Sequence, residues 1–187
     1  MILVDMVESQ IIASVTNEQD LKQAINSKAN IVFLLTGNLL TAGGYISQLK
    51  QANKYVFVHL DFIDGISSSK TALTFVADQW KPTGIITTKS HVVKLAKEAG
   101  LMTIQRIFLL DRSAITKGIE MVNSCRPDAV EVMPGIMPKV IDQLSTSLVF
   151  PIIAGGLIDN ISEVHQALEN GALAVSAGIP EMWNFNL

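Results

Sequence analysis

Two clusters of small residues suit the binding of an anion. Gly155 and Gly156 follow one apolar run, and Ser176, Ala177 and Gly178 close another. Glycine lets backbone N–H groups come close to a phosphate oxygen. A helix beginning just behind such a turn adds partial positive charge. A tight turn alone would also account for the paired glycines. A second set is polar and lies within or at the ends of apolar runs: His59, Asp61, Lys89, Arg106 and Glu131. Burying a charge is costly unless it is paired. Either Arg106 and Glu131 neutralise each other across adjacent strands, or the set forms a polar ring around a small polyol or sugar phosphate. In the ring, Lys89 meets the anion or a hydroxyl, and Asp61 and Glu131 accept from hydroxyls. His59 suits a packed strand as well as a ligand site. Asp61, Lys89 and Glu131 are also the residue types that acid–base chemistry needs.

Other chemistries find no residues in place. Asp61 and Asp64 are acidic neighbours, but nothing fixes a further metal ligand, so no metal site is expected. The single cysteine, Cys125, excludes a disulfide framework and suits packing at a helix end. A nucleophile elbow, a Walker loop and a dinucleotide fingerprint are all missing; Gly155-Gly156 lacks the third glycine that the last requires. The chain carries 187 residues with a net charge of −3, which is not the balance of a strongly basic nucleic-acid binder. A local basic patch can still act while the remainder repels. No signal peptide or membrane-spanning run is evident, so the cytoplasm is the default location.

The elements that must hold these residues alternate along the chain. Apolar runs begin at Ile11, Ile31, Tyr55, Gly84, Met102, Ala129, Leu148 and Leu173. Near-continuous apolar runs such as Ile31 to Leu35 are expected of parallel strands covered on both faces. Helical patterns follow each: Leu21, Ala24 and Ile25; Ile46, Leu49 and Ala52, with Gly43-Gly44 weakening the start; Lys70 to Trp80; and His91 to Ala99. Thr16 or Asn17 can cap the first of these and Ser90 the helix from His91. Gly100 ends that helix in a left-handed turn. Strands are expected over Met102 to Leu110 and Leu148 to Ala154. Eight alternations predict an α/β fold, a compact TIM-like (β/α)8 barrel forming a single domain over residues 1–187. An open doubly wound sheet is the alternative. In such barrels the loops after the seventh and eighth strands grip phosphate, which is where both small-residue clusters fall.

Five segments, in order and at matching spacing, resemble the glycerol uptake operon antiterminator regulatory proteins. They are His59-Leu60-Asp61-Phe62-Ile63-Asp64-Gly65, the run Gly84 to Lys89, the run Thr103 to Asp111, the run Pro127 to Gly135, and the run Pro151 to Ile158. The resemblance implies a regulator, not an enzyme, that responds to glycerol 3-phosphate and acts on the leader mRNA of glycerol-utilisation genes. It implies no cofactor beyond that effector and leaves a homo-oligomer open. The site read from the residues fits this effector, with the phosphate at Gly155, Gly156, Ser176, Ala177 and Gly178 and the polar residues His59, Asp61, Lys89, Arg106 and Glu131 for a glycerol moiety. Lys94, Lys97 and Arg112 are candidate RNA contacts, since phosphate neutralisation supplies much of nucleic-acid affinity. Three positions at the front depart from the pattern: Thr16 stands where a basic residue is usual, and Thr36 and Asn38 stand where an acid and a histidine are usual; the loop Ser176-Ala177-Gly178 is also poorer in Ser and Thr than is usual. These changes imply an altered front of the site. Two other readings stay open. One is a small phosphate-binding barrel enzyme, an isomerase, aldolase or prenyltransferase-like protein using Asp61, Lys89 and Glu131. The other is a sensor whose partner is a protein.

Overall fold

The computed structural model describes residues 2–185; Met1, Asn186 and Leu187, at the ends of the expected domain, lie outside it. Eight parallel strands close into one barrel in sequence order. They are β1 (Ile11–Val15), β2 (Ile31–Leu34), β3 (Tyr55–His59), β4 (Gly84–Thr87), β5 (Met102–Phe108), β6 (Ala129–Met133), β7 (Ile152–Gly155) and β8 (Ala174–Ala177). A short helix, α1 (Leu3–Met6), precedes them. The crossover helices are α2 (Glu18–Asn26), α3 (Ala42–Gln51), α4 (Lys70–Phe75), α5 (Ser90–Glu98), α6 (Arg112–Cys125), α7 (Pro138–Ser147) and α8 (Ile161–Glu169).

Strand alternation sorts the side chains into two cores. Outward residues such as Val32, Val58, Ile85 and Val130 pack under the helices. Inward residues Ile12, Phe33, Phe57, Ile86, Ile104, Ala129, Ile153 and Ala174 fill the lower barrel. Leu3 and Met6 of α1 join them and close the floor. Two residues further along the same strands, the inward positions are Ser14, His59, Arg106, Glu131, Gly155 and Ser176. An apolar floor thus carries a polar layer at the C-terminal mouth.

Several local expectations are corrected. Ser90 is the first residue of α5 and not its cap; Lys89 holds the cap position and makes no side-chain capping bond. The fifth strand ends at Phe108, leaving Leu110 in the loop, 88% exposed. The seventh begins at Ile152 and not Leu148, because Pro151 offers no N–H to a ladder. Helix α3 contains both Gly43 and Gly44. A Cβ at Gly43 would lie 2.8 Å from Trp80 Cδ1, so this glycine makes room for the indole. The segment expected as one helix to Trp80 passes from α4 into a wider π turn over Val76–Trp80.

Asn17 is the cap of α2: its side chain accepts from the Asp20 N–H at 2.9 Å. Replacing Asn17 with alanine is expected to cost about 1 kcal/mol, read as a shifted urea midpoint at unchanged slope.

Candidate functional site

A cavity of about 500 Å³ opens at the C-terminal mouth beside β7 and β8. Ser14, Arg106, Glu131, Gly156, Leu157, Asp159, Ser176, Gly178 and Ile179 are among its lining residues. Its base is an ion pair. Register places Arg106 opposite Glu131, and Arg106 Nε donates to Glu131 Oε2 at 2.6 Å. Ser176 Oγ donates to the other carboxylate oxygen at 2.7 Å. All three residues are buried. Glu131 is therefore fully engaged, and pairing between Arg106 and Glu131 is the arrangement adopted. The two Nη groups of Arg106 make no hydrogen bond among the described residues, so they remain available to the cavity that Arg106 lines.

The cavity wall supplies further donors. Among the described residues, the backbone N–H groups of Gly156, Leu157, Gly178 and Ile179 have no protein acceptor. All four residues line the cavity. Gly156 and Leu157 both have left-handed backbones, with φ of 76° and 61°. Such a conformation in a leucine is strained and concentrates at functional sites. The N-terminus of α8, capped by Asn160, lies just beyond. Formal charge opposes an anion here, because Arg106 is outnumbered by Glu131 and Asp159. An anion in this cavity would have to be held by the N–H groups and the Arg106 fork.

Gly155 and Ala177 take other places than expected. A Cβ on Gly155 would lie 2.6 Å from Glu131 Oε1, so Gly155 gives the carboxylate its space. Ala177 packs in the outer core, and its carbonyl accepts from Trp183 Nε1.

Asp61 and Lys89 form a separate group. Asp61 accepts from the Thr88 N–H at 2.7 Å, the Thr88 hydroxyl at 2.9 Å and the Thr87 hydroxyl at 3.2 Å. Lys89 Nζ stands 3.5 Å from Asp61 and donates to Ser68 Oγ. Burial pushes the Asp61 carboxyl up, but the Thr88 bonds and the Lys89 charge outweigh it, and its pKa lies below the ordinary value. These contacts tie the β3 and β4 loops together. His59 is buried, with Nδ1 3.9 Å from Asp61 and its ring edge-on to Phe62 at 4.6 Å between centroids. Burial, then the Arg106 charge, pushes its pKa down to about 3, so the imidazole is neutral.

Two of the three departures, Thr16 and Asn38, have structural roles. Thr16 donates its N–H and hydroxyl to Asp20. Asn38 accepts from the N–H groups of Leu40 and Thr41, opening the turn into α3. Neither these residues nor Thr36 lines the cavity.

The profile of the family described as glycerol-3-phosphate responsive antiterminator matches residues 11–183. The chain belongs to this family. A glycerol uptake operon antiterminator regulatory protein from Listeria monocytogenes superposes with a TM-score of 0.91 at 28% identity, covering 98% of each chain. A glycerol uptake operon antiterminator-related protein from Thermotoga maritima gives 0.82 at 31%, covering 92% of this chain and 96% of that one. The uncharacterized protein YgcP of Escherichia coli is 31% identical over 94% of this chain and 92% of its own. The antiterminator family is regulatory, and no helix among the described residues is long and apolar enough to cross a membrane. Orotidine 5'-phosphate decarboxylase from Pyrococcus horikoshii shares the fold, with a TM-score of 0.69 at 19% identity.

The candidate RNA contacts do not form one patch. Lys97 is tied at the barrel floor, donating to the Arg126 carbonyl at 2.6 Å and pairing with Asp128 at 3.7 Å. Lys94 precedes it on α5. Arg112 begins α6, at the opposite end, in a groove of about 530 Å³ shared with Ile115, Thr116, Lys139, Val140 and Gln143. Lys139 was not legible as a site residue; its signal is a cation in the first turn of a helix opened by Pro138.

Proposed function

We propose that this antiterminator-family protein is a non-enzymatic regulator. It binds glycerol 3-phosphate, or a close phosphate ester, in the β7–β8 cavity and acts on a leader mRNA. The observation that carries this reading is the set of unmet donors: four backbone N–H groups and the Arg106 Nη groups around one cavity. The phosphate meets the N–H groups of Gly156, Leu157, Gly178 and Ile179, and Arg106 anchors it from the barrel axis. A binding role fits better than catalysis. Glu131 and Asp61 have their oxygens committed, Lys89 is paired, and His59 is covered.

Calorimetric titration tests the reading. Saturable binding of glycerol 3-phosphate, absent for glycerol, is expected in the parent protein and lost in Gly156→Asp. A Cβ at Gly156 would lie 2.6 Å from Met133 Cε on a left-handed backbone. A folded parent protein that takes no phosphate ester would end the proposal. Asp159→Asn removes a rim charge and is expected to tighten phosphate-ester binding about two- to fivefold.

The groove between α6 and α7 is the RNA surface this reading favours. Arg112 and Lys139 line it, no acid does, and α6 and α7 directly follow the strands that bear Arg106 and Glu131. Lys139→Ala is expected to lower the slope of log K against log salt by about 1 for a leader RNA. An unchanged slope, measured by filter binding across potassium chloride, would remove the groove from the interface.

A further inference from the structure

Among the described residues, the two ring nitrogens of His59 are the buried side-chain polar atoms that lack any hydrogen-bond partner. A neutral imidazole offers one donor and one acceptor, and a dry core leaves both unsatisfied at a cost. Packing alone does not call for a histidine here; two residues earlier on the same strand, Phe57 fills its inward place. Asp61 does not answer the need. At 3.9 Å from Nδ1 it is beyond hydrogen-bond reach, and its oxygens already face Thr87, Thr88 and Lys89. The cover over His59 is Phe62, on a single 3₁₀ turn, Leu60–Phe62, a residue 54% exposed whose ring packs on the imidazole. An exposed aromatic thus shields a buried polar ring whose bonds are unmet. His59 and Arg106 occupy the same inward polar layer at the barrel mouth.

We propose that His59 reads a hydroxyl of the ligand, exposed when Phe62 turns aside. This rests on the phosphate reading above. His59 does not line the cavity as it stands; recognition requires that, once Phe62 turns aside, the hydroxylated carbons of an ester held at the β7–β8 wall reach it past Arg106. The imidazole then donates to, and accepts from, the hydroxyl that a simple alkyl phosphate lacks. His59 is a specificity-determining residue of the site.

The test is calorimetry with three probes: glycerol 3-phosphate, propyl phosphate and inorganic phosphate. The parent protein is expected to prefer glycerol 3-phosphate to propyl phosphate by at least about tenfold. His59→Phe is expected to lose that preference while keeping its affinity for propyl phosphate, and His59→Gln to retain part of it. The imidazole carbon resonance of His59 should shift on adding glycerol 3-phosphate and stay put with propyl phosphate. A parent protein that binds both esters equally, or a folded variant that discriminates as the parent does, overturns the inference and leaves the phosphate site standing. A parent protein that binds none of the three overturns both. Should His59→Phe fail to fold, the resonance shift and His59→Gln decide the matter.

Discussion

Glu131→Ala is expected to destabilise the barrel by about 3–5 kcal/mol, because it leaves the Arg106 guanidinium buried without its counter-charge. Removing the carboxylate also takes away the acceptor of Ser176 Oγ, which is 2.7 Å from Oε1. The pair spans adjacent strands at the wet end of a dry core, so water can replace the lost charge only by entering the cavity. Equilibrium urea unfolding of the two proteins measures the difference. A loss below about 1 kcal/mol would mean that the site is solvated as an exposed pair is. The double substitution Arg106→Met with Glu131→Leu removes both charges and is expected to restore most of the stability. Apolar replacements of buried pairs are often neutral or stabilising. That double variant is expected to fold and yet fail to bind phosphate esters. The ion pair would then be held for the ligand and not for the fold.

Acid should weaken the protein through His59 well before its carboxylates are affected. The folded-state pKa of about 3 lies below the ordinary 6.5. Between these values the unfolded chain takes up a proton that the native chain refuses, so stability falls as pH drops from near 7 towards 3. By pH 5 the loss attributable to this residue is about 2 kcal/mol. The groups facing the ring act in opposite senses: Arg106 opposes protonation and Asp61 favours it. Asp61 itself has a lowered pKa, so its own stabilising contribution is present above the ordinary carboxylate range and is lost only as pH falls further. Urea midpoints for the parent protein and His59→Phe at pH 7.5 and pH 5 isolate the effect. The parent is expected to lose more between the two pH values, whatever the offset between the proteins at neutral pH. Equal losses would show that a water or ligand reaches the imidazole and relieves its burial.

The barrel was legible because period and length agree. Strands such as Gly84–Thr87 and Ile11–Val15 read as short apolar runs with turn residues at each end, and they begin where expected. Boundaries failed where apolar residues continue into loops, as at Leu110 and Val149, since hydrophobicity cannot tell a buried strand from an exposed rim. The cap at Ser90 failed because Ser and Thr suit a first-turn position as well as a cap. Arg106 and Glu131 were legible as polar residues inside strands, and their pairing followed once the register was known. Asp61 and Lys89 were placed in the ring by position alone. Their separation from it depends on Thr87, Thr88 and Ser68, ordinary loop residues whose contacts no spacing reveals. Leu157 and Ile179 were missed for a simpler reason: they contribute backbone N–H groups, to which side-chain chemistry gives no clue.

The apolar floor lies beneath the polar mouth and does not line its cavity. Ile12, Phe57, Ile104 and Ala129 hold the shape without touching the cavity. On the proposed reading, changes at Ser14, Leu157, Asp159 or Ile179, which line the cavity, alter ligand preference while that layer stays intact. If the proposed phosphate site holds, retargeting it to another ester calls for a library confined to a handful of rim positions. The floor acts as a fixed chassis, and new effector specificities can be sampled above it without screening for fold at every step.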